Sequence, residues 1–533
     1  MPSIDPHKED DLKTPIRTVA VLLALASLAA AAAGSGGAAG DTTFTYATVS
    51  QVMVGWDPST AYSNEIVAMS NMYETLTRYN AQTHKAEPLL ARSFSASNHG
   101  KTWTFQLRKG ITFHTGRPLN AAAAKAAIMR TLTLNQGAAY VWGAVKSIST
   151  PGPYTLVFHL KYPAPFDLNA SADYAAYIFD AKAAPAKKLA SWFAAGHDAG
   201  TGPYTVDQWS KGQEVELRLK AYTGYWRGWK GSHYTNLVFR VVPSATTTAQ
   251  LLRSKQVTFA ERMTPQLWAS FKNTSGISTK ATPSWQNLLA MLNTKSGALA
   301  NVAVRRAVEY AIDRKGILAA LKGAAEPQVG IVPTGLWGSL SSLPGGYTYD
   351  PAKAKRLLAQ AGAGKVKLVL TYTQGDADEQ LVSTLMKSNL AQVGIQLDVQ
   401  PLAWPVQWSK AKSSKLSTRQ DILLFYWWPD YADPYSWFVN LFKTEKEPYF
   451  NLAYYSNAAL DKQIDAAEPL AATNRPKAVD LYKKMQTTLM HDAAVVPLYV
   501  QVYQRAYMSS LKGFADNPAY PNVVFVYDTK ASA

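Results

Sequence analysis

The sequence contains no cysteine. This absence excludes disulfide bonds, zinc–thiolate sites, iron–sulfur clusters and cysteine nucleophiles. The eight histidines show no metal-ligand spacing; they are His7, His84, His99, His114, His159, His197, His233 and His491. We therefore predict no metal site formed directly by the protein. A metal carried inside a small chelator stays open as a ligand.

Catalytic motifs are absent as well, since no HExxH, GxSxG or complete Walker A motif occurs. The segment Gly362–Lys365 has the Gly-Lys of a phosphate loop, but Val366 follows it instead of Ser or Thr. It is interpreted as a helix end and a turn. Asp430 and Asp433 could form a glycosidase pair, but two carboxylates so close on one loop more often share a structural task. We predict neither an enzyme nor a cofactor.

Dense basic runs are missing, although 54 Lys and Arg stand against 37 Asp and Glu, a net charge of +17. The basic residues are scattered, and no recognisable nucleic-acid module accompanies them. Nucleic acid is therefore not a predicted partner. Two interpretations of the charge stay open: a solubilising surface, and contact with an anionic cell envelope.

Long apolar runs are confined to the N-terminus. A polar stretch with three basic residues, Met1–Arg17, precedes the uncharged apolar run Val19–Ala33 and the small residues Gly34–Gly40. This order is typical of a secretory signal. The apolar run of ~15 residues is shorter than the roughly 20 that a membrane span needs. We predict an exported protein in the periplasm or on the extracellular face, with residues 1–40 as signal or tether. An uncleaved anchor is the alternative.

The same N-terminal segment is similar to a bacterial lipoprotein signal, in which a cysteine precedes a tether rich in Gly and Ser. Because no cysteine is present, lipid attachment is excluded. Membrane contact is therefore expected only through a partner or through this segment. Asp41 is the expected start of the folded chain.

Strand and helix patterns alternate along the remaining sequence. Thr102–Arg108 alternates as a half-buried strand, and Asn120 can cap a helix over Ala121–Leu134. Apolar residues recur at helical spacing over Val302–Leu318, and Asp350 with Pro351 opens another helix.

A strand–helix–strand unit follows. Val366–Tyr372 alternates as a strand, Glu379–Val393 has a helical pattern that Gly394 ends, and Ile395–Val399 is again a strand. This order predicts that the two strands pair in parallel.

Aromatic residues are abundant, with 15 Trp, 29 Tyr and 17 Phe. The densest group is Phe425–Pro434, which also carries Asp430 and Asp433 and whose prolines prevent a regular helix. It is interpreted as a rigid loop that displays aromatic and acidic groups to a ligand. Because neighbours on an extended chain point opposite ways, at most one of Trp427 and Trp428 is expected to face a cleft.

Several segments in one order, covering roughly 44–528, resemble family 5 of the bacterial extracellular solute-binding proteins, which includes oligopeptide, dipeptide and nickel receptors of ABC transporters. These segments are Tyr73–Leu76, Pro88–Ala91, Trp103–Ile111, Phe113–Ala121, Gly200–Tyr204, Asn293–Thr294, Val304–Arg314, Tyr349–Ala354, Trp427–Pro434 and Ala493–Tyr499. The chain departs from the family after Phe113, where Asp-Gly usually stands and Thr115–Arg117 occurs here. It also lacks the cysteine of the family lipoproteins.

The resemblance implies an α/β fold of the periplasmic-binding-protein type II class (cluster C), with two lobes and three domains. Domain I would comprise 41–75, 191–285 and 501–533. Domain II would be the insertion 76–190, and domain III would be 286–500. The ligand cleft would lie between domains I and III, and the lobes would close by hinge rotation.

The resemblance also implies a site. In oligopeptide-binding relatives the Asp that follows the Trp of this loop pairs with the peptide α-ammonium, and that position is Asp430; Asp433 is the second choice. A carboxylate in a water-poor cleft is costly unless it is paired, and an ammonium pairs it strongly. The alternative is an Asp that caps a turn. The further predicted ligand-binding residues are Trp427, Trp428, Tyr431, Trp285, Asn287 and Trp56. Packing is the alternative for Trp427 and Trp428, and buried packing at the hinge is the favoured alternative for Trp285, Asn287 and Trp56.

The implied function is that of a monomeric substrate-binding protein that delivers a small solute, a short peptide by preference, to the permease subunits of an ABC importer. Peptides have one point against them, because Ile422–Phe425 is apolar where some relatives carry an Arg for a ligand carboxylate. An oligosaccharide, an opine-like compound or a metal chelate are alternatives within the same fold. A sensory receptor and a hydrolase acting through Asp430 and Asp433 are alternatives of other classes.

Overall fold

The computed structural model describes residues 42–209 and 216–531. The predicted signal or tether, residues 1–40, lies outside the described residues. Within 42–209 and 216–531, no helix combines the length and the apolar character needed to cross a bilayer.

The described strands are short except for two. They are β1 (Thr43–Thr48), β2 (Thr77–Asn80), β3 (Lys85–Pro88), β4 (Ala91–Ser97), β5 (Thr102–Leu107), β6 (Val145–Gly152), β7 (Thr155–Leu160), β8 (Tyr204–Gln208), β9 (Glu216–Ala221), β10 (Asn236–Val241), β11 (Phe259–Ala260), β12 (Ile277–Leu292), β13 (Ala325–Glu326), β14 (Val366–Thr373), β15 (Ile395–Leu402), β16 (Ile422–Trp427), β17 (Val495–Met508), β18 (Leu511–Lys512) and β19 (Lys530–Ala531).

The described α-helices alternate with these strands. They are α1 (Ile66–Met72), α2 (Ala121–Leu134), α3 (Phe166–Asn169), α4 (Leu189–Ala194), α5 (Ala245–Arg253), α6 (Pro265–Ser270), α7 (Val302–Ala311), α8 (Arg314–Ala320), α9 (Pro351–Gln360), α10 (Ala377–Ala391), α11 (Trp404–Ala411), α12 (Tyr435–Leu441), α13 (Ala458–Thr473) and α14 (Arg475–His491).

Eleven of the described strands form one mixed sheet in the order β15-β14-β16-β12-β17-β11-β1-β10-β9-β8, with β13 paired to β17. Strand β14 pairs in parallel with β15, with Val366 opposite Ile395. The predicted parallel strand–helix–strand unit is therefore confirmed. On the other half of the sheet, β1 pairs in parallel with both β10 and β11.

The two halves of the sheet meet at a long antiparallel pair, the 16-residue β12 and the 14-residue β17. Its register shifts twice, between Pro283 and Asn287 and between Leu288 and Leu289. At the first shift, the hydroxyl of Ser284 donates to the carbonyl of Gln501 at 2.6 Å and accepts from the backbone N–H of Gln286 at 3.0 Å. Side chain–backbone bonds thus replace ladder bonds at the first of these two shifts.

A separate four-stranded antiparallel sheet has the order β4-β5-β7-β6. Its buried face packs Phe105 and Phe158 against Phe166, and the ring of Trp142 stacks on Phe158 at 5.7 Å between centroids. This sheet lies wholly within 76–190, the range assigned to domain II. The division into three domains itself stays a prediction.

Local capping signals have the predicted effect. The side chain of Asn120 accepts a hydrogen bond from the N–H of Ala123 at the start of α2, and Asp350 accepts from Lys353 at the start of α9. Each satisfies an N–H that the first helical turn leaves unpaired.

Two helix boundaries differ from prediction. The pattern over Val302–Leu318 is two helices, because Ile312 is extended and Asp313 caps α8 by accepting from the N–H of Gly316. Helix α10 covers Ala377–Ala391 rather than Glu379–Val393, since Asp376 is its cap. In both cases an Asp cap sets the start of the helix.

Candidate functional site

A cavity of about 650 Å³ opens between two groups of chain segments. One side is formed by residues 49–64, 261–262 and 522, which fall in the ranges predicted as domain I. The other is formed by residues 373–379, 403–408 and 425–450, in the range predicted as domain III. Its volume is within the roughly 300–1,000 Å³ typical of small-ligand sites.

Aromatic side chains dominate the wall of this cavity: Tyr62, Tyr174, Trp404, Trp408, Phe425, Tyr426, Trp427, Trp428 and Phe450. They also pack on one another. The ring of Tyr62 stacks on Trp408 at 6.0 Å, and Trp427 meets Phe450 edge-on at 5.4 Å. The wall is therefore held in place by its own ring contacts.

Both tryptophans of the predicted loop, Trp427 and Trp428, line the cavity. The expectation that at most one would face it is wrong. Strand β16 ends at Trp427, so the alternation of a strand no longer applies to the next residue. The indole N–H of Trp428 donates to the hydroxyl of Tyr174 at 3.2 Å, which fixes this ring outside the strand geometry.

Asp430 places a buried carboxylate at the cavity, with 6% of the residue exposed. Its Oδ2 accepts hydrogen bonds from the hydroxyl of Tyr140 at 2.5 Å and from the amide of Asn440 at 3.2 Å. Oδ1 accepts none from the described part of the chain. Burial raises the pKa of Asp430 to about 6, and the two hydrogen bonds oppose that rise.

The backbone around Asp430 is anchored to a neighbouring segment. Its carbonyl accepts from the N–H of Asp173 at 2.9 Å, and Asp173 precedes Tyr174, which holds Trp428. Pro429 lies between Trp428 and Asp430, which both line the cavity, and its ring restricts the backbone at that position. The proline ring and the hydrogen bonds to Asp173 and Tyr174 thus restrict the conformation of the loop.

Asp433 has a different environment three residues further on. It is 1% exposed and does not line the cavity. Its Oδ1 accepts from the hydroxyl of Tyr482 at 3.1 Å and from the N–H of Tyr435 at 2.9 Å, at the start of α12. Burial raises its pKa to about 6 as well. Its contacts join α12 to α14.

The other predicted residues also lie outside the cavity lining. Tyr431 is buried beneath the loop. The amide of Asn287 donates to the carbonyl of Ile331 at 2.8 Å and accepts from the indole of Trp437 at 3.1 Å. A ligand role for these two residues stays a prediction; their present partners belong to the protein.

The remaining two predicted tryptophans pack against other rings. Trp285 lies 5.8 Å from the ring of Tyr79, next to the first register shift of β12, and Trp56 meets Trp209 edge-on at 4.8 Å. Neither lines the cavity. Their predicted ligand role likewise stays a prediction.

An ion pair that was not predicted from the sequence lies at the cavity. The guanidinium of Arg262, which follows β11, donates to the carboxylate of Asp376, the cap of α10, and lies 5.2 Å from the centre of the Tyr426 ring. Arg262 and Asp376 come from opposite sides of the cavity and both line it. The cap position could have been found from the sequence, but a partner 114 residues away gives no local signal.

The carboxylates of Glu261 and Glu379 are two further lining groups that the sequence analysis missed. Among the described residues, no group of three or more side chains could hold a metal ion. The cavity therefore presents aromatic faces and carboxylates to whatever enters it.

The fold and the cavity define a type II periplasmic binding protein. The family described as "Bacterial extracellular solute-binding proteins, family 5 Middle" matches residues 85–448. This match covers more than half of the chain, and the protein belongs to that family. The predicted family and fold class are confirmed, and the protein is a solute-binding protein of the extracytoplasmic class.

Relatives and solved structures agree with this assignment. The "Probable D,D-dipeptide-binding periplasmic protein DdpA" of Escherichia coli K12 is 28% identical over 476 residues, 88% of this chain and 90% of the relative. The structure of DppA from Helicobacter pylori with the peptide STSA has a TM-score of 0.82 at 23% identity and covers 92% of this chain and 98% of that one. NikA from Staphylococcus aureus with Ni(L-His)2 has a TM-score of 0.77 at 17% identity, with coverages of 92% and 100%. Family 5 consists of solute-binding proteins rather than enzymes.

Proposed function

We propose that this protein captures a short peptide for an ABC importer and that Asp430 holds the peptide α-ammonium. One observation carries the proposal: a buried carboxylate at an aromatic cavity, with Oδ2 occupied by Tyr140 and Asn440 and Oδ1 left for a ligand. The name of the relative DdpA and the peptide bound to DppA support a peptide as the ligand.

The physical chemistry of Asp430 favours an ammonium ligand. Taking a carboxylate out of water is costly unless a partner replaces the lost hydration. Burial accordingly raises the pKa of Asp430 to about 6. A ligand ammonium supplies a charge-assisted hydrogen bond and the opposite charge, so binding removes the cost and lowers the pKa of Asp430.

The same contacts would drive closure. Asp430, Trp427 and Trp428 lie on one side of the cavity, and the segment that includes Tyr62 lies on the other. A ligand that touches both sides stabilises the closed arrangement more than the open one, which is the differential affinity that a trap needs. The closed monomer would then dock on the permease subunits, with β12 and β17 as the link between its halves.

Calorimetric titration with Ala-Ala-Ala and its N-acetyl derivative tests the proposal. Acetylation removes the ammonium charge and keeps the rest of the peptide. We expect binding of the free peptide and a loss of at least about 100-fold on acetylation, the range for losing one partner of a buried charge pair. Equal affinity for the two peptides would contradict a role of Asp430 as the ammonium site.

Native mass spectrometry of the purified protein is a second test, because a closed cavity protein often retains its ligand. We expect a bound mass in the range of a short peptide. The same sample, incubated with that peptide and analysed by chromatography, should return it intact. Release of cleavage products would contradict the assignment as a binding protein without catalytic activity.

A further inference from the structure

The charged groups that line the cavity are unbalanced. They are Glu261, Arg262, Asp376, Glu379 and Asp430, four carboxyl groups against one guanidinium. The single cation is already used, since Arg262 pairs with Asp376. The whole chain carries a net charge of +17, so the acidic cavity contrasts with the basic protein around it.

Glu261 is a buried carboxylate near the guanidinium groups of Arg262 and Arg505, but its side chain accepts no hydrogen bond from the described residues. It is 9% exposed, and its Oε2 receives no hydrogen bond within the described residues. Its backbone is fixed from two sides: its N–H donates to the carbonyl of Ala47 at 3.0 Å, and its carbonyl accepts from Arg505 at 2.6 Å. Other buried carboxylates of the chain, such as Asp173 and Asp433, also have an oxygen without a hydrogen bond. What distinguishes Glu261 from them is that it lines the cavity, where a ligand can reach its carboxylate.

Glu379 lies opposite, in the first turn of α10, and is 2% exposed. Its Oε2 accepts from the N–H of Thr373 at 2.6 Å. Burial first, and the charge of Asp376 second, raise its pKa well above the usual value. Both glutamates lie within electrostatic range of Arg262.

The aromatic side chains of the cavity wall, like its carboxyl groups, favour a positively charged ligand group. Trp404, Trp408, Trp427 and Trp428 line the cavity together with these carboxyl groups. Indole faces attract cations, by about 0.5–2 kcal/mol according to how much water is excluded. The indole rings and the carboxylates are therefore both complementary to a cationic ligand group.

We propose, resting on the proposed function, that the ligand carries a second cationic group in addition to the one at Asp430, and that Glu261 and Glu379 receive it. The chemical class is a short peptide with a basic side chain, lysine-, ornithine- or arginine-like. The second cation gives the Glu261 carboxylate a hydrogen-bond donor and favours the ionised form of Glu379 beside the Arg262–Asp376 pair.

A ligand carboxylate fits this part of the cavity less well. To reach Arg262 it would have to displace Asp376, which also accepts the N–H groups of Asp378 and Glu379 as the cap of α10. It would also face the carboxylates of Glu261 and Glu379. The charge that this end of the cavity selects is therefore positive.

Matched tripeptides provide the test. Lysine is placed in turn at each position of Ala-Ala-Ala, and each peptide is compared with its norleucine counterpart, which has a similar length and no charge. We expect at least one lysine peptide to bind tenfold or more tightly than its norleucine partner. In the Glu261→Gln variant this ratio should fall towards one. Glu447→Gln, an exposed carboxylate outside the cavity lining, should leave the ratio unchanged.

The outcomes separate this inference from the proposed function. If every norleucine peptide binds as tightly as its lysine partner while N-acetylation still abolishes binding, the second cationic site is overturned and the peptide function stands. If no peptide binds, the proposed function fails. Titration with 1,5-diaminopentane then tests the cationic site at Glu261 and Glu379 separately. Binding of this diamine that is lost in Glu261→Gln supports the acidic cavity end on its own. Absence of diamine binding overturns it.

Discussion

Asp430 and Asp433 lie three residues apart on one loop, and burial raises the pKa of each to about 6. Each uses one oxygen to accept two hydrogen bonds: Oδ2 of Asp430 from Tyr140 and Asn440, and Oδ1 of Asp433 from Tyr482 and the N–H of Tyr435. The difference lies in the other oxygen, because Asp430 lines the cavity, whereas Oδ2 of Asp433 is enclosed without a partner among the described residues and Asp433 does not line the cavity. A perturbed pKa alone thus does not distinguish a ligand group from a structural one; access to the cavity does.

The largest expected effect comes from removing the charge of Asp430. The Asp430→Asn variant should bind Ala-Ala-Ala at least about 100-fold more weakly, because the ammonium loses the buried carboxylate that pairs with it. Calorimetric titration measures this loss. Asp433→Asn is the matched control and should bind as the parent does; a comparable loss there would remove the distinction between the two residues.

The same Asp430→Asn variant should be at least as stable as the parent at pH 7.5. The pKa of Asp430 is higher in the folded chain than its ordinary value of 3.8, so the ionised form costs stability above about pH 6 and the cost disappears below pH 3.8. Thermal unfolding should give a higher Tm for the variant at pH 7.5 and a smaller difference at pH 4. A lower Tm at pH 7.5 would contradict this sign.

The next expected effect is on stability, and it distinguishes the structural role of Asp433 from that of Asp430. Asp433→Ala removes the acceptor of two buried donors, whereas Asp433→Asn keeps an oxygen, so the alanine variant should be less stable than the asparagine variant by about 2–4 kcal/mol. At position 430 the same difference should be about 1 kcal/mol or less, since water in the cavity can replace the lost acceptor. Denaturant unfolding of the four variants gives both differences, and equal values would contradict the comparison.

Peptide affinity should depend on pH through Asp430. The ligand ammonium pairs with the ionised carboxylate, so affinity should be constant above about pH 7 and fall by up to tenfold per unit as the pH drops below about 6. Titrations between pH 4.5 and 8 follow this change. It should vanish in Asp430→Asn and persist in Asp433→Asn; persistence in the former would assign the titration to another group.

The smallest effect concerns the support of Asp430. Tyr140→Phe removes the hydroxyl that donates to Oδ2, and Asn440 remains as a donor. We expect the affinity for Ala-Ala-Ala to fall about fivefold, in line with roughly 1 kcal/mol for one hydrogen bond. Tyr482→Phe, which removes the corresponding donor to Asp433, should leave affinity unchanged in the same titration.

Much of this arrangement was predictable because its signals are local. Asn120 and Asp350 cap their helices, and the order of patterns predicted the parallel pair β14–β15. The aromatic and acidic loop was found because its unusual residues are adjacent. Its position at a cavity came from the resemblance to family 5, not from its own sequence.

What the sequence did not reveal depends on contacts between distant segments. The partner of Arg262 is 114 residues away, and nothing beside Glu261 in the sequence indicates that its carboxylate is buried without a hydrogen bond from the described residues. Asp430 and Asp433 look equivalent in sequence because the donors that distinguish them, Tyr140 and Tyr482, come from elsewhere in the chain. Alternation failed for Trp428 because the strand ends one residue earlier.

The first register shift of β12 has a mechanical consequence. An unbroken hydrogen-bond ladder between β12 and β17 would resist twisting. Rotation of one half of the large sheet against the other would then strain many backbone hydrogen bonds at once. With Ser284 carrying those bonds on a side chain, twist can concentrate in a few residues. We therefore expect the segment around Ser284 to determine the rate at which the two halves of the sheet move relative to each other. The residues that line the cavity would determine the affinity for the ligand.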